Sequence, residues 1–351
     1  MKTKAFAWVL LIGLLICSLS ACGKPRSYTA YSFDYFDTVT TVVGYAADQA
    51  EFDRISADIL SELGEYHRLF TTYHRYEGLE NLCTVNELVD GAHRTVTVDR
   101  RIIDMLLYAR EMYDKTGGAV NIAMGSVLSI WHDYREEGMN DPAAAKLPPM
   151  ERLQAAAAHT DIGVLLIDEE ACTVTLTDPE ARLDVGAIAK GYAVEMVARS
   201  LEERGISGYV LNVGGNVRTV GTKPTGEPWL VGIENPGEDP EVPYLAYLDL
   251  ADLSLVTSGS YQRYYVVDGE RYHHIIDPDT LMPAGGYLSV SVITPSSADG
   301  DALSTALFCM SPEQGSALIE SLPNTEAMWV LADGTRQYSS GFDAYAAQFA
   351  E

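Results

Sequence analysis

An acid and a hydroxyl stand one helical turn apart near the C-terminal end of the chain. Asp301 and Thr305 flank Ala-Leu-Ser, and the apolar residues from 302 to 310 predict a helix. Positions i and i+4 share one helix face, so the carboxylate and the hydroxyl would point the same way. Both are hard oxygen ligands, which suits Mg²⁺ and does not suit zinc. An N-capping acid followed by a threonine bonded to its own helix backbone also fits, and spacing alone favours that structural interpretation.

A second segment joins a predicted strand to a predicted helix with small residues. It reads Leu-Asp-Val-Gly-Ala-Ile-Ala-Lys-Gly over residues 183–191. The first turn of a helix offers unpaired N–H groups that suit phosphate, and Lys190 would add a full positive charge. Asp184 could accept hydrogen bonds from a ribose or a base edge. A tight connection with a solvated lysine explains the same residues equally well, and neither a Walker pattern nor a G-x-G-x-x-G fingerprint is present.

Two adjacent histidines follow a turn that is rich in hydroxyl groups. Neighbouring side chains of an extended segment face opposite sides, so either His273 or His274 could face a given site, but not both. A neutral histidine is the usual proton acceptor near pH 7. The alternative is one packed and one exposed histidine. The turn at Thr257-Ser-Gly-Ser-Tyr261 lacks a G-x-S-x-G elbow, which favours ligand contacts or turn capping over a nucleophile.

The order of these segments along the chain resembles the FAD:protein FMN transferase family, also called the ApbE family. The segments are Asp184 to Gly191, Asn212-Val-Gly-Gly-Asn216, Thr257 to Tyr261, His274-Ile-Ile-Asp-Pro278 and Asp301 to Thr305. Upstream, Phe36-Asp-Thr38, the stretch from Phe70 to Asn86, and Thr116-Gly-Gly-Ala-Val-Asn121 resemble the N-terminal half of that family. The resemblance covers roughly residues 33–320.

The resemblance implies an enzyme that cleaves FAD with Mg²⁺. FMN would be joined by a phosphoester to a Thr or Ser of a flavin-carrying subunit of a membrane redox complex, and AMP would leave. It implies His274 as the base for the acceptor hydroxyl. It implies metal ligands from the Ala187 carbonyl, Asp301 and Thr305. The implied FAD contacts are Phe36, Tyr73, Ala119, Val120, Asn121, Asp184, Lys190 and Ile275.

Three residues depart from the family pattern. Leu281 stands where the family often has glycine, so a turn that needs a positive φ would be strained there. Asn121 stands where many members have aspartate, which removes a charge near the flavin. Asp299 is a second acid close to Asp301, and we prefer Asp301 because it has the i+4 relation to Thr305.

The elements that must position these residues predict an α+β fold with mixed, largely antiparallel sheets and flanking helices, of the ApbE-like, T-fold-related type. Apolar spacing predicts helices over 49–70, 100–115, 187–204, 302–310 and 312–321, and strands over 35–45, 163–168, 173–177, 209–213, 229–234, 244–250, 261–267 and 288–294. Strands follow one another without intervening helices, which argues against a doubly wound fold. We expect a single domain over 33–345 made of two intimate halves, with an irregular excursion at 136–150.

The N-terminus predicts export. Lys2 and Lys4 precede an apolar run, and Leu-Ser-Ala-Cys then resembles a lipoprotein signal. We expect a signal peptide at 1–21, lipidation of Cys22, a tether over 22–32, and a location on the extracytoplasmic face of the membrane. The net charge of −26 argues against nucleic acid as a partner. Three cysteines beyond Cys22 predict no disulfide framework.

Two rival functions stay open at this level. One is a hydrolase that converts FAD to FMN and AMP, with water in place of the acceptor hydroxyl. The other is a non-catalytic flavin-binding lipoprotein, for which two lobes of regular βαβ units would be expected.

Overall fold

The backbone of the fold is one eight-stranded antiparallel sheet. The computed structural model describes residues 25–87, 95–237 and 241–349. The strand order is β1-β2-β6-β7-β10-β13-β14-β15, and every neighbouring pair is antiparallel. These strands are β1 (Arg26–Ser32), β2 (Thr40–Ala46), β6 (Tyr209–Val213), β7 (Asn216–Val220), β10 (Ser254–Gly259), β13 (Tyr287–Thr294), β14 (Glu326–Leu331) and β15 (Arg336–Tyr338).

Three smaller sheets complete the strands. The first has the order β3-β5-β4 and consists of β3 (Thr95–Thr97), β4 (Leu165–Asp168) and β5 (Thr173–Leu176). The second has the order β16-β9-β8 and consists of β8 (Trp229–Glu234), β9 (Tyr244–Leu250) and β16 (Ala346–Phe349). The third is a hairpin of β11 (Tyr264–Val267) and β12 (Glu270–His273). All of these pairs are antiparallel as well. The predicted α+β class with largely antiparallel sheets is therefore confirmed, and the regular βαβ lobes of a two-lobed binder do not occur among the described strands.

Eight α-helices occur in the described residues. They are α1 (Gln49–Phe70), α2 (Leu82–Val85), α3 (Arg100–Lys115), α4 (Gly125–Asn140), α5 (Met150–Ala157), α6 (Ala189–Glu203), α7 (Ser297–Cys309) and α8 (Pro312–Ser321). The first shows why the sequence pattern worked, because Asp48 caps its N-terminus and its buried stripe includes Phe52, Ile55, Ile59 and Leu63. Short 3₁₀ turns lie at Pro142–Ala144, Ile162–Val164 and Phe342–Ala344.

Two apolar cores border the functional region. The main core lies under the large sheet and includes α1, α3, α6 and α7. A separate small core joins α4 and α5 to the β11–β12 hairpin and the loop that follows it. Its buried members are Met124, Val127, Ile130, Trp131, Leu153, Tyr265, Ile276 and Leu281. The two cores place the candidate site residues on two separately packed surfaces.

Three sequence predictions need correction. Residues 22–32 were expected to be a tether, but Arg26–Ser32 is the edge strand β1, paired with β2. The strand expected at 35–45 begins only at Thr40, because Phe36 and Asp37 adopt φ values of 55° and 50°. The excursion expected at 136–150 contains the last turn of α4, which was not predicted at all.

Leu281 has a positive φ although it is not glycine, so the turn is kept at this position. Its φ is 61°, and its N–H closes a turn onto the Asp277 carbonyl at 2.8 Å. Its side chain is buried in the small core, and its carbonyl accepts a 2.9 Å bond from Trp131 Nε1. Packing and this hydrogen bond hold a conformation that glycine would adopt without strain.

The predicted export signal and Cys22 lie outside the described residues. Among the helices of the described ranges, none combines the length and apolar character needed to span a bilayer. Cys83, Cys172 and Cys309 are free thiols, in agreement with the expected lack of a disulfide framework in this part of the chain.

Candidate functional site

One cavity of about 250 Å³ lies between the two cores. It is lined by main-core residues such as Val185 and Ile275 and by small-core residues such as Trp131 and Ile276. All twelve residues selected from the sequence as catalytic, FAD-binding or metal-binding line this cavity. They are Phe36, Tyr73, Ala119, Val120, Asn121, Asp184, Ala187, Lys190, His274, Ile275, Asp301 and Thr305.

Helices α6 and α7 bring the lysine and the acid together. Lys190 Nζ lies 3.6 Å from Asp301 Oδ1, and the Gly191 N–H donates to Asp301 Oδ2 at 2.7 Å. The carboxylate is buried, with 4% of the residue exposed. A Cβ on Gly191 would lie 2.3 Å from the Ser297 carbonyl oxygen and 2.4 Å from Asp301 Cβ. Glycine is therefore required here for the two helices to approach.

The same contact releases a backbone oxygen. In an unbroken α-helix the Gly191 N–H would bond to the Ala187 carbonyl, but here it is given to Asp301. Ala187 also precedes the first helical residue of α6, Ala189. Ala187, Asp301 and Thr305 all line the cavity and offer three kinds of oxygen ligand: a carbonyl, a carboxylate and a hydroxyl.

Hydroxyl groups of the neighbouring strand orient Thr305. Ser258 Oγ on β10 lies 3.4 Å from Thr305 Oγ1 and 2.9 Å from Ser304 Oγ. An oxygen-only set with one carboxylate fits Mg²⁺, which keeps several waters and is bound by one or two carboxylates together with substrate phosphates. Within the described residues, no three His, Cys, Asp or Glu side chains are grouped to hold a metal by themselves. The donors thus fit a cation that a phosphate-bearing substrate would share.

Asp299 has a different partner. Its Oδ1 accepts a 2.9 Å hydrogen bond from the Tyr108 hydroxyl of α3, and it is not among the residues that line the cavity. Burial and the Asp299 carboxylate raise the pKa of Tyr108, so the phenol stays a donor. Of the two neighbouring acids, Asp301 is the one that faces the cavity.

His273 and His274 face opposite sides, as expected for neighbours in an extended segment. The His273 ring is buried, with Nε2 2.8 Å from the Ala284 carbonyl and Nδ1 accepting from the Ile275 N–H at 3.2 Å. Both ring nitrogens of His273 are thereby used inside the fold. His274 lines the cavity, and its Nδ1 lies 3.3 Å from the Arg263 carbonyl. Because a carbonyl only accepts, this contact places the proton on Nδ1 and leaves Nε2 as the acceptor.

The surroundings keep the His274 ring neutral. Burial lowers its pKa well below 6.5, and the positive charges of Arg263 and Arg135 lower it further. A neutral ring with an unprotonated Nε2 is the form in which histidine takes a proton from a hydroxyl group.

Aromatic rings form another part of the cavity wall. Tyr73 packs against His132 with ring centroids 4.7 Å apart and ring planes tilted by 33°, and its hydroxyl lies 3.4 Å from Asp184 Oδ2. Burial and then the Asp184 charge raise the pKa of Tyr73, so it remains protonated. Half of Tyr73 is exposed, which leaves ring surface for a planar ligand.

The segment before β2 is strained at the cavity edge. Phe36 and Asp37 both have positive φ, and the Phe36 N–H donates to His67 Nδ1 at 3.1 Å. The Phe36 ring meets the His67 ring edge-on at 5.4 Å. Non-glycine residues in this conformation cost free energy and are found preferentially at ligand sites.

Asn121 faces the cavity, but its side chain is already bonded to the protein. Its Nδ2 donates to the Thr160 carbonyl at 2.9 Å, and its Oδ1 accepts from the Ala123 N–H at 2.9 Å. Ala119 and Val120 are fixed by Thr116, whose carbonyl and hydroxyl accept their N–H groups. This stretch therefore presents mainly its backbone to a ligand.

Sequence reasoning missed a group of cationic and aromatic residues. They are His67, Trp131, His132, Arg135 and Arg263, and all of them line the cavity. Three of the five lie on α4, whose helical spacing at Val127, Ile130, Trp131 and Tyr134 could have been found in the sequence.

Comparison with known proteins agrees with this geometry. The model of the ApbE family matches residues 36–329, which is most of the chain and includes every site residue above. The chain belongs to the ApbE family.

Relatives in this family carry the name FAD:protein FMN transferase. The protein of that name from Treponema pallidum is 30% identical over 358 residues, covering 97% of this chain and 96% of the relative. One from Klebsiella pneumoniae is 34% identical over 272 residues, covering 75% of this chain and 81% of the relative. The predicted family and the prediction that the chain is an enzyme are confirmed.

Solved ApbE structures share the architecture. The ApbE protein of Thermotoga maritima superposes with a TM-score of 0.78 at 27% identity, covering 92% of this chain and 100% of that one. The flavin transferase ApbE from Vibrio cholerae gives a TM-score of 0.74 at 25% identity, covering 92% and 99%.

Proposed function

We propose that this enzyme transfers FMN from FAD to a Thr or Ser hydroxyl of a flavoprotein subunit, using Mg²⁺ and releasing AMP. The observation that carries the proposal is the convergence of Lys190, Asp301, Thr305 and the Ala187 carbonyl in one cavity with His274. The names of the relatives, FAD:protein FMN transferase, support the substrate and the transferred group.

The charged groups suit the pyrophosphate of FAD. Phosphoryl transfer depends on positioning and on neutralising the oxygens of the transferred group. Bound by Ala187, Asp301 and Thr305, Mg²⁺ would supply positive charge to the phosphate oxygens. Lys190 adds an ammonium group beside them, which matters in a chain whose net charge is −26. The Tyr73 and Phe36 rings would flank the planar part of the substrate.

His274 takes the proton in this scheme. The acceptor oxygen attacks the phosphorus of the FMN half, and the bond between that phosphorus and the bridging oxygen breaks. The hydroxyl proton goes to His274 Nε2, and AMP leaves with the bridging oxygen. General-base help of this kind is worth about 10²–10⁴-fold in rate. The acceptor supplies the nucleophile, so no serine or cysteine of the enzyme is needed.

The experiment joins the purified enzyme, FAD and MgCl₂ with a candidate flavin-carrier subunit, and follows the carrier by mass spectrometry and AMP by chromatography. The expected result is a carrier that gains FMN, with one AMP released per FMN attached. Release of AMP and free FMN with an unmodified carrier would instead favour hydrolysis of FAD. Retention of intact FAD without AMP would contradict both reactions.

Two acids of α7 provide a matched pair for the metal assignment. Asp301→Asn should abolish Mg²⁺-dependent transfer, whereas Asp299→Asn should keep it, since an asparagine oxygen still accepts from Tyr108. Similarly, His274→Ala should lose transfer but keep FAD binding. Equal activity of the two α7 variants would contradict the assigned metal ligand.

We also propose that the chain is exported, lipidated at Cys22 and held at the extracytoplasmic face of the membrane, where its acceptor would be a subunit of a redox complex. Support comes from the signal-like sequence at residues 1–22. Because β1 begins at Arg26, only residues 23–25 would separate the lipidated cysteine from the sheet. Cys22→Ala should move the protein from the membrane fraction to the soluble fraction and abolish labelling by palmitate.

A further inference from the structure

Two guanidinium groups line the cavity without a role in the chemistry above. Arg135 lies on α4, and Arg263 directly precedes β11. Both belong to the surface that carries His274, because the His274 N–H donates to the Arg263 carbonyl at 3.1 Å and both arginines are close enough to lower the pKa of His274.

These two arginines lack the close carboxylate partners of other arginines: Arg135, which is half-buried, has one long ion pair, and Arg263, which is exposed, has none in the described part of the chain. Arg218 and Arg101 bond to carboxylates at 2.9 Å and 2.6 Å. The nearest carboxylate oxygen to Arg135, on Glu136, is 3.9 Å away, although only 15% of the Arg135 side chain is exposed. Across the described ranges, no carboxylate comes within ion-pair distance of Arg263.

Nearby carboxylates compensate the charge of the pair only in part. Burial lowers the pKa of Arg135, and the like charge of Arg263 lowers it further; the charges of Glu136 and Asp184 act in the opposite direction without cancelling these effects, and the guanidinium stays charged. Placing two like charges together in a partly desolvated wall costs free energy unless an anion joins them. Such an arrangement in a cleft is typical of a binding site for an oxyanion.

Neighbouring contacts fix the Arg135 fork. Its Nη2 lies 3.0 Å from His132 Nδ1, and the His132 ring packs against Tyr73 at a tilt of 33°. Tyr73 in turn reaches Asp184. A guanidinium offers its N–H groups in a planar, rigid fork, which suits a carboxylate bound by two parallel hydrogen bonds.

The position of the pair decides which anion it binds. The donors assigned to the FAD phosphates lie on α6 and α7, in the main core. Arg135 and Arg263 belong to the α4 and β11 surface with His274, where the acceptor hydroxyl would enter. We infer that Arg135 and Arg263 bind the carboxylate of an Asp or Glu in the acceptor polypeptide, close to its flavinylated Thr or Ser. This inference rests on the proposed function.

The negative charge of the rest of the protein strengthens the selectivity for an acidic segment that binds at the two arginines. A chain of net charge −26 repels an acidic segment over most approaches, so a local cationic pair would both attract that segment and set its register. The acceptor hydroxyl would then reach His274 only when its acidic neighbour is seated on the two arginines.

The test uses the full enzyme with Arg135→Gln and Arg263→Gln, and Arg152→Gln as the matched control. Arg152 lies over the ring of Tyr134, which is on α4 like Arg135, but it does not line the cavity. Two quantities are measured for each: the Kd for FAD by flavin fluorescence, and the KM for the carrier subunit by its FMN content. The acidic residues near the acceptor site of the carrier are also changed to Asn or Gln one at a time.

We expect the KM for the carrier to rise about tenfold or more in Arg135→Gln, since it is the more buried of the two, and about threefold in Arg263→Gln. The Kd for FAD and the Arg152→Gln enzyme should stay near wild type. Neutralising one acid of the carrier should raise the KM for wild type but add little to the effect of Arg135→Gln. Arg263→Glu should be partly rescued by Lys at that carrier position.

Two results would overturn the inference. A rise in the Kd for FAD that equals the rise in KM would assign the pair to the phosphates of FAD. Unchanged KM in both variants would show that the pair binds no part of the carrier. Loss of the proposed function is a separate result, because the wild-type enzyme would then attach no FMN to any carrier.

Discussion

The absence of a side chain at Gly191 lets helices α6 and α7 approach closely, and the proposed chemistry depends on that approach. A Cβ at this position would lie 2.3 Å from the Ser297 carbonyl oxygen, about 1 Å short of the 3.4 Å at which ordinary contact begins. The clash is with backbone on one side and Asp301 Cβ on the other, so no flexible side chain end can yield. Helices α6 and α7 must separate or tilt in Gly191→Ala.

The magnitude follows from two opposing terms. Alanine inside a helix gains about 0.5–1 kcal/mol over glycine. Overpacking in a closely packed interior costs about 1–3 kcal/mol. We therefore expect Gly191→Ala to lower the free energy of unfolding by up to about 2.5 kcal/mol. A displacement of about 1 Å between Lys190 and Asp301 should also lower the rate of AMP release by about 10²-fold, because catalysis is sensitive to such shifts.

The assay combines urea unfolding with single-turnover AMP release, and Gly315→Ala in α8 is the control. A Cβ there would meet Leu307 Cδ2 at 3.2 Å, the end of a flexible side chain, so this variant should be as stable as wild type or slightly more stable and fully active. The reasoning would be refuted by a Gly191→Ala enzyme that matches Gly315→Ala in both stability and rate.

Three further predictions test other parts of the structure. Because Leu281 has a φ of 61°, Leu281→Gly should be about 1 kcal/mol more stable than Leu281→Ala in urea unfolding. At Leu153, in helix α5 of the same small core, the alanine variant should be more stable than the glycine variant. The same order of stability at both sites would show that the backbone of Leu281 is not strained. Burial and two arginines lower the pKa of His274, so the ring stays neutral and able to accept a proton down to a lower pH. A plot of kcat/KM for transfer against pH should therefore fall on the acid side with a midpoint below pH 6.5. A midpoint at or above pH 6.5 would show that His274 is not the base. Isothermal titration should show that Asp301→Asn weakens Mg²⁺ binding in the presence of FAD at least tenfold, with Asp299→Asn unchanged; equal Mg²⁺ binding by the two variants would argue against Asp301 as a ligand.

The residues that could be placed from sequence are those whose spacing reflects a local geometry. Asp301 and Thr305 share a helix face because they are four residues apart, and α1 was predicted with its observed bounds from the helical spacing of its apolar residues. His273 and His274 had to face opposite sides of an extended segment. In these cases the spacing along the chain by itself determines which side chains share a face.

The residues that were missed depend on long-range contacts or on weak patterns. Strand β1 is polar and largely exposed at the edge of the sheet, so it gives little alternation to detect. Nothing local signals the positive φ of Phe36, since the conformation is held by His67, thirty-one residues away in sequence. Asn121 lines the cavity as expected, but the sequence could not show that its polar atoms bond to the distant Thr160 carbonyl and to the nearby Ala123 N–H.

The segment from His273 to Ile276 explains how two separate cores can hold one reaction site. Its side chains alternate between two sides. On one side His273 contacts Phe308 and Ile275 packs in the main core. On the other side His274 faces the cavity and Ile276 packs in the small core. The proposed base is thus fixed by packing on both sides, although the phosphate donors lie on the main core alone. A change that loosens the small core should therefore move His274 relative to Lys190 and Asp301, and lower the rate of transfer more than it weakens FAD binding.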